Sequence, residues 1–292
     1  MSANGIGIVA EEVSDIPRDI ALKSGVELVP VGMVWPELED IPGSNTFQKM
    51  RELDRRGTVS FGKTSQPSPE EYAIRFHRQL EKFEEVLCIC VSSKLSGCFN
   101  SATLARKFLT KGEQGRVQVI DSLNATGGHA LVILKAVELA GEGKSASGVV
   151  DNLNSFLPRV RMFAMLDDPK WVEAHGRLPH AAGSIIRALS RIGVRPVLEI
   201  KHGSLTPSGL KTRAQDKAVA LFRQVRATVG KDGSQKHRAA ITHGDDEETA
   251  SRLCSRVKAE LKQVDVVFTH RMNDIIGVPA GPDCLAVAIS PD

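Results

Sequence analysis

Residues 57–68 read Gly57-Thr-Val-Ser-Phe-Gly-Lys-Thr-Ser-Gln-Pro-Ser68, and two incompatible readings overlap on them. Gly57 to Thr64 satisfies the phosphate-loop pattern GxxxxGK[ST] at every fixed position. Thr64 to Ser68 is a hydroxyl-rich turn that would make Thr64 a clamp for some other anion. The flanks discriminate between the two. A phosphate loop needs a buried strand before its first glycine and a helix opening near its lysine, because helix N–H groups and the helix dipole hold the phosphate. Here the preceding segment is charged, with Phe47, Met50 and Leu53 at helical spacing. Residues 46–56 are therefore an amphipathic helix that stops at Gly57, its C′ residue. Downstream, Pro67 pushes Gln66 out of the α region, so a helix opening at Lys63 would end within a turn. The next helix opens at Ser68, with Pro69 in its first position and Glu70 and Glu71 in its first turn. No clear strand ending in a magnesium-binding Asp follows.

Outward from this stretch, short apolar runs alternate with helical patterns. Strands are expected at 5–9, 27–34, 86–91 and 117–120, and helices near 17–24, 69–83, 97–109, 127–141 and 147–157. Near-continuous apolar strands between helices indicate a mainly parallel sheet covered on both faces. Beyond residue 158 the expected strands are 160–166, 195–200, 238–242, 265–269 and 285–290. The expected helices there are 168–175, 182–192, 212–228 and 245–262. The turn chemistry of Gly203-Ser-Leu-Thr-Pro207 suggests a hairpin, so the second sheet is expected to be mixed. The expected organisation is two α/β domains, residues 1–158 and 159–292.

Composition removes several classes of function. A net charge of +3 implies no strong field for nucleic acid, and 4% aromatic residues leave little for base stacking. No apolar run approaches the roughly 20 residues of a membrane span, and no basic, then apolar, leader opens the chain. Five cysteines, several in apolar runs, fit buried thiols in a reducing cytoplasm. Cys88 and Cys90 would project to one strand face, but no second Cys/His pair lies nearby in sequence, so neither a metal nor a cofactor is expected.

In open α/β sheets, ligands bind beyond the carboxyl ends of the strands. Three hydroxyl-rich segments fall there: Thr64-Ser65-Gln66-Pro67-Ser68, Ser92-Ser93-Lys94-Leu95-Ser96-Gly97, and Asp121 to Gly128. The second and third open helices, whose free N–H groups suit a carboxylate or phosphate. Ser96, Asn124 or Thr126 as plain helix caps is the alternative. An enzymatic alternative uses Ser96 or Cys98 as nucleophile in a small hydrolase, or the Gly57–Thr64 loop in a nucleotide-dependent transferase. A triad of Ser96, His243 and Asp121 can be drawn, although Leu95 occupies the first glycine position of a Gly-x-Ser-x-Gly elbow.

These loops resemble the DegV family of bacterial fatty-acid-binding proteins. The resemblance rests on Thr64-Ser-Gln-Pro-Ser-Pro69, Ser92-Ser-Lys-Leu-Ser-Gly97, Val119-Ile-Asp-Ser122 with Gly127-Gly128, His175-Gly-Arg-Leu178, Arg195-Pro-Val-Leu198 with His202-Gly203, and Gly281-Pro282. It implies one long-chain fatty acid in the cleft between two α/β domains, with no catalysis by the binding protein itself. By the resemblance, Thr64 and Ser96 hydrogen-bond the carboxylate, assisted by Ser65, Ser93, Gly97, Gly127 and Gly128. Such proteins present the acid to a separate fatty acid kinase catalytic subunit, and the arginine matching Arg177 faces that partner. Two neutral hydroxyls and helix N–H groups would then hold the carboxylate without a buried counter-ion. The chain departs from the family pattern at three places. Glu11-Glu12 stand for Asp-Ser, Cys98 for a common Thr, and Pro279 for a carboxylate-binding histidine.

Overall fold

The structure is a computed structural model that describes residues 5–178, 183, 184, 186, 188, 189, 196–208, 216–230 and 234–292. The expected helix at 182–192, the start of the helix expected at 212–228, and Arg195 lie largely or wholly outside the described residues.

Strand β1 (Ile6–Glu11) is central to the first sheet, between β2 (Val26–Val29) and β5 (Glu85–Cys90), with β6 (Val117–Asp121) beyond β5. All three pairings are parallel. The crossovers run through α1 (Arg18–Lys23), α2 (Thr46–Arg55), α3 (Pro69–Leu80), and α4 (Cys98–Ala105) with α5 (Lys111–Gln114). The run expected as one strand at 27–34 divides at Pro30. Its second part, β3 (Gly32–Val34), leaves the sheet and pairs antiparallel with β4 (Lys63–Ser65).

The stretch from Gly57 to Ser68 resolves accordingly. Gly57 has a φ of 70°. Its N–H bonds Asp54 O at 2.9 Å and that of Thr58 bonds Leu53 O at 3.2 Å, a complete Schellman stop for α2. Lys63 is an exposed strand residue. The next helix is α3, with Pro69 at its start and a reciprocal capping box between Ser68 and Glu71. No helix opens at Lys63, so no phosphate cradle forms.

The second sheet has six strands in the order β11 (Val264–Arg271), β10 (His237–His243), β12 (Leu285–Pro291), β7 (Arg161–Met165), β8 (Leu198–Lys201), β9 (Ser204–Pro207). β10 and β11 are parallel and every other pair is antiparallel, so the sheet is mixed. The turn between β8 and β9 places His202 and Gly203 at φ 48° and 83°, the left-handed pair of a tight hairpin. Ser92 Oγ donates to Gly203 O at 2.7 Å, docking that hairpin on the first half.

Strand alternation sorts the second sheet's residues. Ala164, Ala240, Ala286 and Ala288 belong to the larger core shared with the first sheet. Phe163, Met165, Ile241, Leu285 and Val287 belong to a second core under α9 (Lys217–Val229) and α10 (Glu247–Glu260). The small face lets α6 (Thr126–Gly141) come close. A Cβ at Gly127 would sit 3.1 Å from that of Ala240. Three further helices are α7 (Ala146–Phe156), α8 (Lys170–Ala174) and α11 (Asp274–Ala280).

Candidate functional site

Between the carboxyl edge of the first sheet and the small-residue face of the second lies a cavity of about 300 Å³. Aliphatic groups from both halves line it, including Val13, Val91, Met162, Ile200, Leu205 and Ile276. Thr64, Ser65, Gln66, Ser96, Gly97, His175 and Arg177 supply most of its polar lining. Thr64 reaches it from β4, and Ser96 and Gly97 from the loop that opens α4. A Cβ at Gly97 would meet Gln66 at 3.0 Å, so a glycine there lets the two hydroxyl loops close together. Ser96 Oγ accepts from Cys98 N at 3.4 Å and lies 3.2 Å from Cys98 Sγ.

Arg177 turns inward and lines the cavity. Its Nε donates to Leu95 O at 3.1 Å and its Nη2 to Thr64 Oγ1 at 3.2 Å. Its Nη1 is buried with no hydrogen-bond partner among the described residues. Burial pushes the guanidinium pKa below its ordinary value. A buried cation without an anion is costly, so this end of the cavity is prepared for a negative charge. The sequence reading placed only neutral hydroxyls here, and the structure sets a guanidinium beside Thr64.

His175 sits beside Arg177. Its Nδ1 lies 2.7 Å from Trp171 O and its Nε2 2.7 Å from Gly62 O, tying α8 to the loop before β4. Aromatic contacts reinforce that tie. The Trp171 ring lies 6.0 Å from Trp35 and 5.4 Å from Phe61. Gly62, once a candidate phosphate-loop glycine, has its Cα against Trp35. Pro279, in the last turn of α11, also lines the cavity and brings no titratable group.

Four of the seven expected ligand-binding positions meet at the cavity: Thr64, Ser65, Ser96 and Gly97. Three do not. Ser93 is exposed, and its N–H lies 3.3 Å from the Asp121 carboxylate. Gly127 is packed on Ala240, and Gly128 on Asn124. Their neighbours Ala125 and Thr126 line the cavity instead. The triad does not assemble, because Ser96 Oγ is engaged by Cys98 and Asp121 caps the turn at Leu123 N, 2.8 Å away. Burial pushes the Cys98 thiol up to about 12, with the Glu11 charge adding to it, so the thiolate form is suppressed near neutral pH.

The DegV family model, described as an uncharacterised protein family, matches residues 5–292. The chain belongs to the DegV family. A DegV domain-containing protein of Caldanaerobacter subterraneus is 30% identical over 287 residues, covering 97% of each chain. A fatty acid-binding protein of Thermotoga maritima is 28% identical over 295 residues, again covering 97% of each. Among solved structures, a DegV family protein of Thermus thermophilus described by its fatty acid binding superposes with a TM-score of 0.83 at 26% identity. It covers 99% of this chain and 100% of its own. The two-domain α/β fold of this DegV protein is that of its structural neighbours. Among the described residues, no helix is long and apolar enough to cross a membrane.

Proposed function

We propose that this DegV chain binds one long-chain fatty acid between domains divided at 158/159, and catalyses no reaction of its own. The acyl chain occupies the aliphatic cavity, and the carboxylate lies against Thr64, Ser96 and Arg177. The observation that carries this reading is Arg177, a desolvated guanidinium with an unpartnered Nη1 beside Thr64 Oγ1, at the polar end of an apolar cavity. The acyl chain supplies most of the affinity, at roughly 0.8 kcal/mol per buried CH₂. The guanidinium supplies the selection for an acid. Ser65 and Gln66 line the same end and are exposed, so a bound carboxylate is reachable from outside. We extend the proposal to presentation of that carboxylate to a separate kinase subunit.

Thermal melting with palmitate, oleate and hexadecanol tests the binding reading. Both acids are expected to raise Tm by several degrees, and the alcohol by much less. Absence of any acyl-dependent shift overturns the reading.

A further inference from the structure

The first sheet holds a cluster of ligating atoms that the fatty-acid site does not use. The parallel register of β1 and β5 sets Val9 opposite Cys88 and Ala10 opposite Ile89. Glu11, Cys88 and Cys90 therefore project from the same face of neighbouring strands. All three are fully buried. A carboxylate oxygen of Glu11 and the two sulfurs lie within 4.8 Å of one another. The sulfurs are 3.7 Å apart. Two thiolates on a tetrahedral zinc, with bonds of about 2.3 Å, are separated by about 3.8 Å. The cysteine pair already has that spacing.

The surroundings also favour a cation. Tyr72 Oη donates to one Glu11 oxygen, and Val91 N donates to the other at 2.9 Å. These bonds fix the carboxylate's orientation, as partners of a ligating carboxylate do. Among the described residues no Lys or Arg lies within ion-pair distance of Glu11. His129 Nε2 is 3.9 Å away but is engaged by Ile89 O at 2.8 Å. A carboxylate this deep is costly without a nearby positive charge. Two sulfur donors select a soft ion over calcium or magnesium. Cys98 lines the cavity and is close enough to feel the Glu11 charge, so the cluster sits behind the cavity wall.

We propose that Glu11, Cys88 and Cys90 form a buried three-ligand site for a zinc-class divalent cation. Loading forms two metal–sulfur bonds and one metal–oxygen bond and releases the two thiol protons to solvent. The expectation of no metal rested on the missing second Cys/His pair. The third ligand comes from another strand, 77 residues earlier in the chain than Cys88.

Cobalt(II) titration of the purified full chain tests the site. The expected result is thiolate-to-cobalt charge-transfer absorption saturating at about one equivalent. Cys88→Ser and Cys90→Ser should each weaken binding at least about tenfold, Glu11→Gln less, and Cys254→Ser not at all. No such absorption, or absorption that survives in the Cys88→Ser/Cys90→Ser double variant, overturns the proposal. A second measurement needs no variant: alkylation of the wild-type chain in mild denaturant, read by peptide mass spectrometry, with and without zinc. Zinc is expected to slow labelling of Cys88 and Cys90 but not Cys254. Equal labelling of all three with and without zinc counts against the site.

Discussion

Arg51 and Arg177 both join the two halves of the molecule, and each has the surroundings the other lacks. Arg51, on α2, bonds Asp245 Oδ2 at 2.8 Å, and bonds Asp283 through Nε at 3.0 Å and Nη2 at 2.7 Å. Those carboxylates raise its pKa. Among the described residues Arg177 bonds a carbonyl and a hydroxyl, and burial lowers its pKa. The first is a strut complete within the chain. The second has no carboxylate partner among the described residues. Carboxylates divide the same way. Asp283 is paired with Arg51. Asp15 is buried, accepts from Asn273 N at 2.8 Å, and has no ion-pair partner among the described residues.

Breaking the comparison should have its largest effect at Arg177. Arg177→Gln is expected to lower palmitate affinity by about 1.5–3 kcal/mol, through loss of charge-assisted bonds. Tm of the ligand-free protein should stay level or rise, because an uncompensated buried charge is removed. Calorimetric titration and melting together decide. Unchanged affinity with a lowered Tm would make Arg177 a second strut.

Asp15 comes next. Burial raises its pKa from 3.8 to about 7. The folded state therefore holds a proton that the unfolded state releases, so the contribution of Asp15 to stability is full below about 4 and is lost as pH rises through about 7. Asp15→Asn should remove that slope, so the variant gains more stability over the wild type at pH 8 than at pH 4. Denaturant unfolding across that range measures it, and an unaltered slope in the variant contradicts the assignment.

Arg51→Met should cost about 1–2 kcal/mol of stability after allowance for solvent screening, and leave affinity unchanged. Thr64→Val is the smallest expected change, about 1 kcal/mol of affinity, since one hydroxyl is lost while the guanidinium remains. Titrations of both variants against the wild type separate strut from site.

The local parts of this arrangement were legible in the sequence. The apolar runs of β1, β5 and β6, the stop at Gly57, and the Ser68–Glu71 cap depend on neighbours a few residues away. Ser96 was placed at the cavity because it follows the end of β5, and Thr64 because it opens a hydroxyl-rich turn. The β3–β4 ribbon was not, since three residues such as Lys63-Thr-Ser65 are too few to show alternation, and Pro30 hid inside an apolar run. Gly127 read as a ligand contact because a glycine needed for helix-to-sheet packing looks the same in sequence as one needed for an anion. The inward turn of Arg177 depends on Leu95 and Thr64, 82 and 113 residues away. The Arg51 strut spans 194 and 232 residues, so no local pattern could show it.

The most direct test of the central claim is native mass spectrometry of the chain as purified from a bacterial host. The account predicts one fatty-acid mass per chain, lost on delipidation, restored by palmitate, and weakly held by Arg177→Gln. A chain that carries no acyl mass and takes up neither palmitate nor oleate would contradict it.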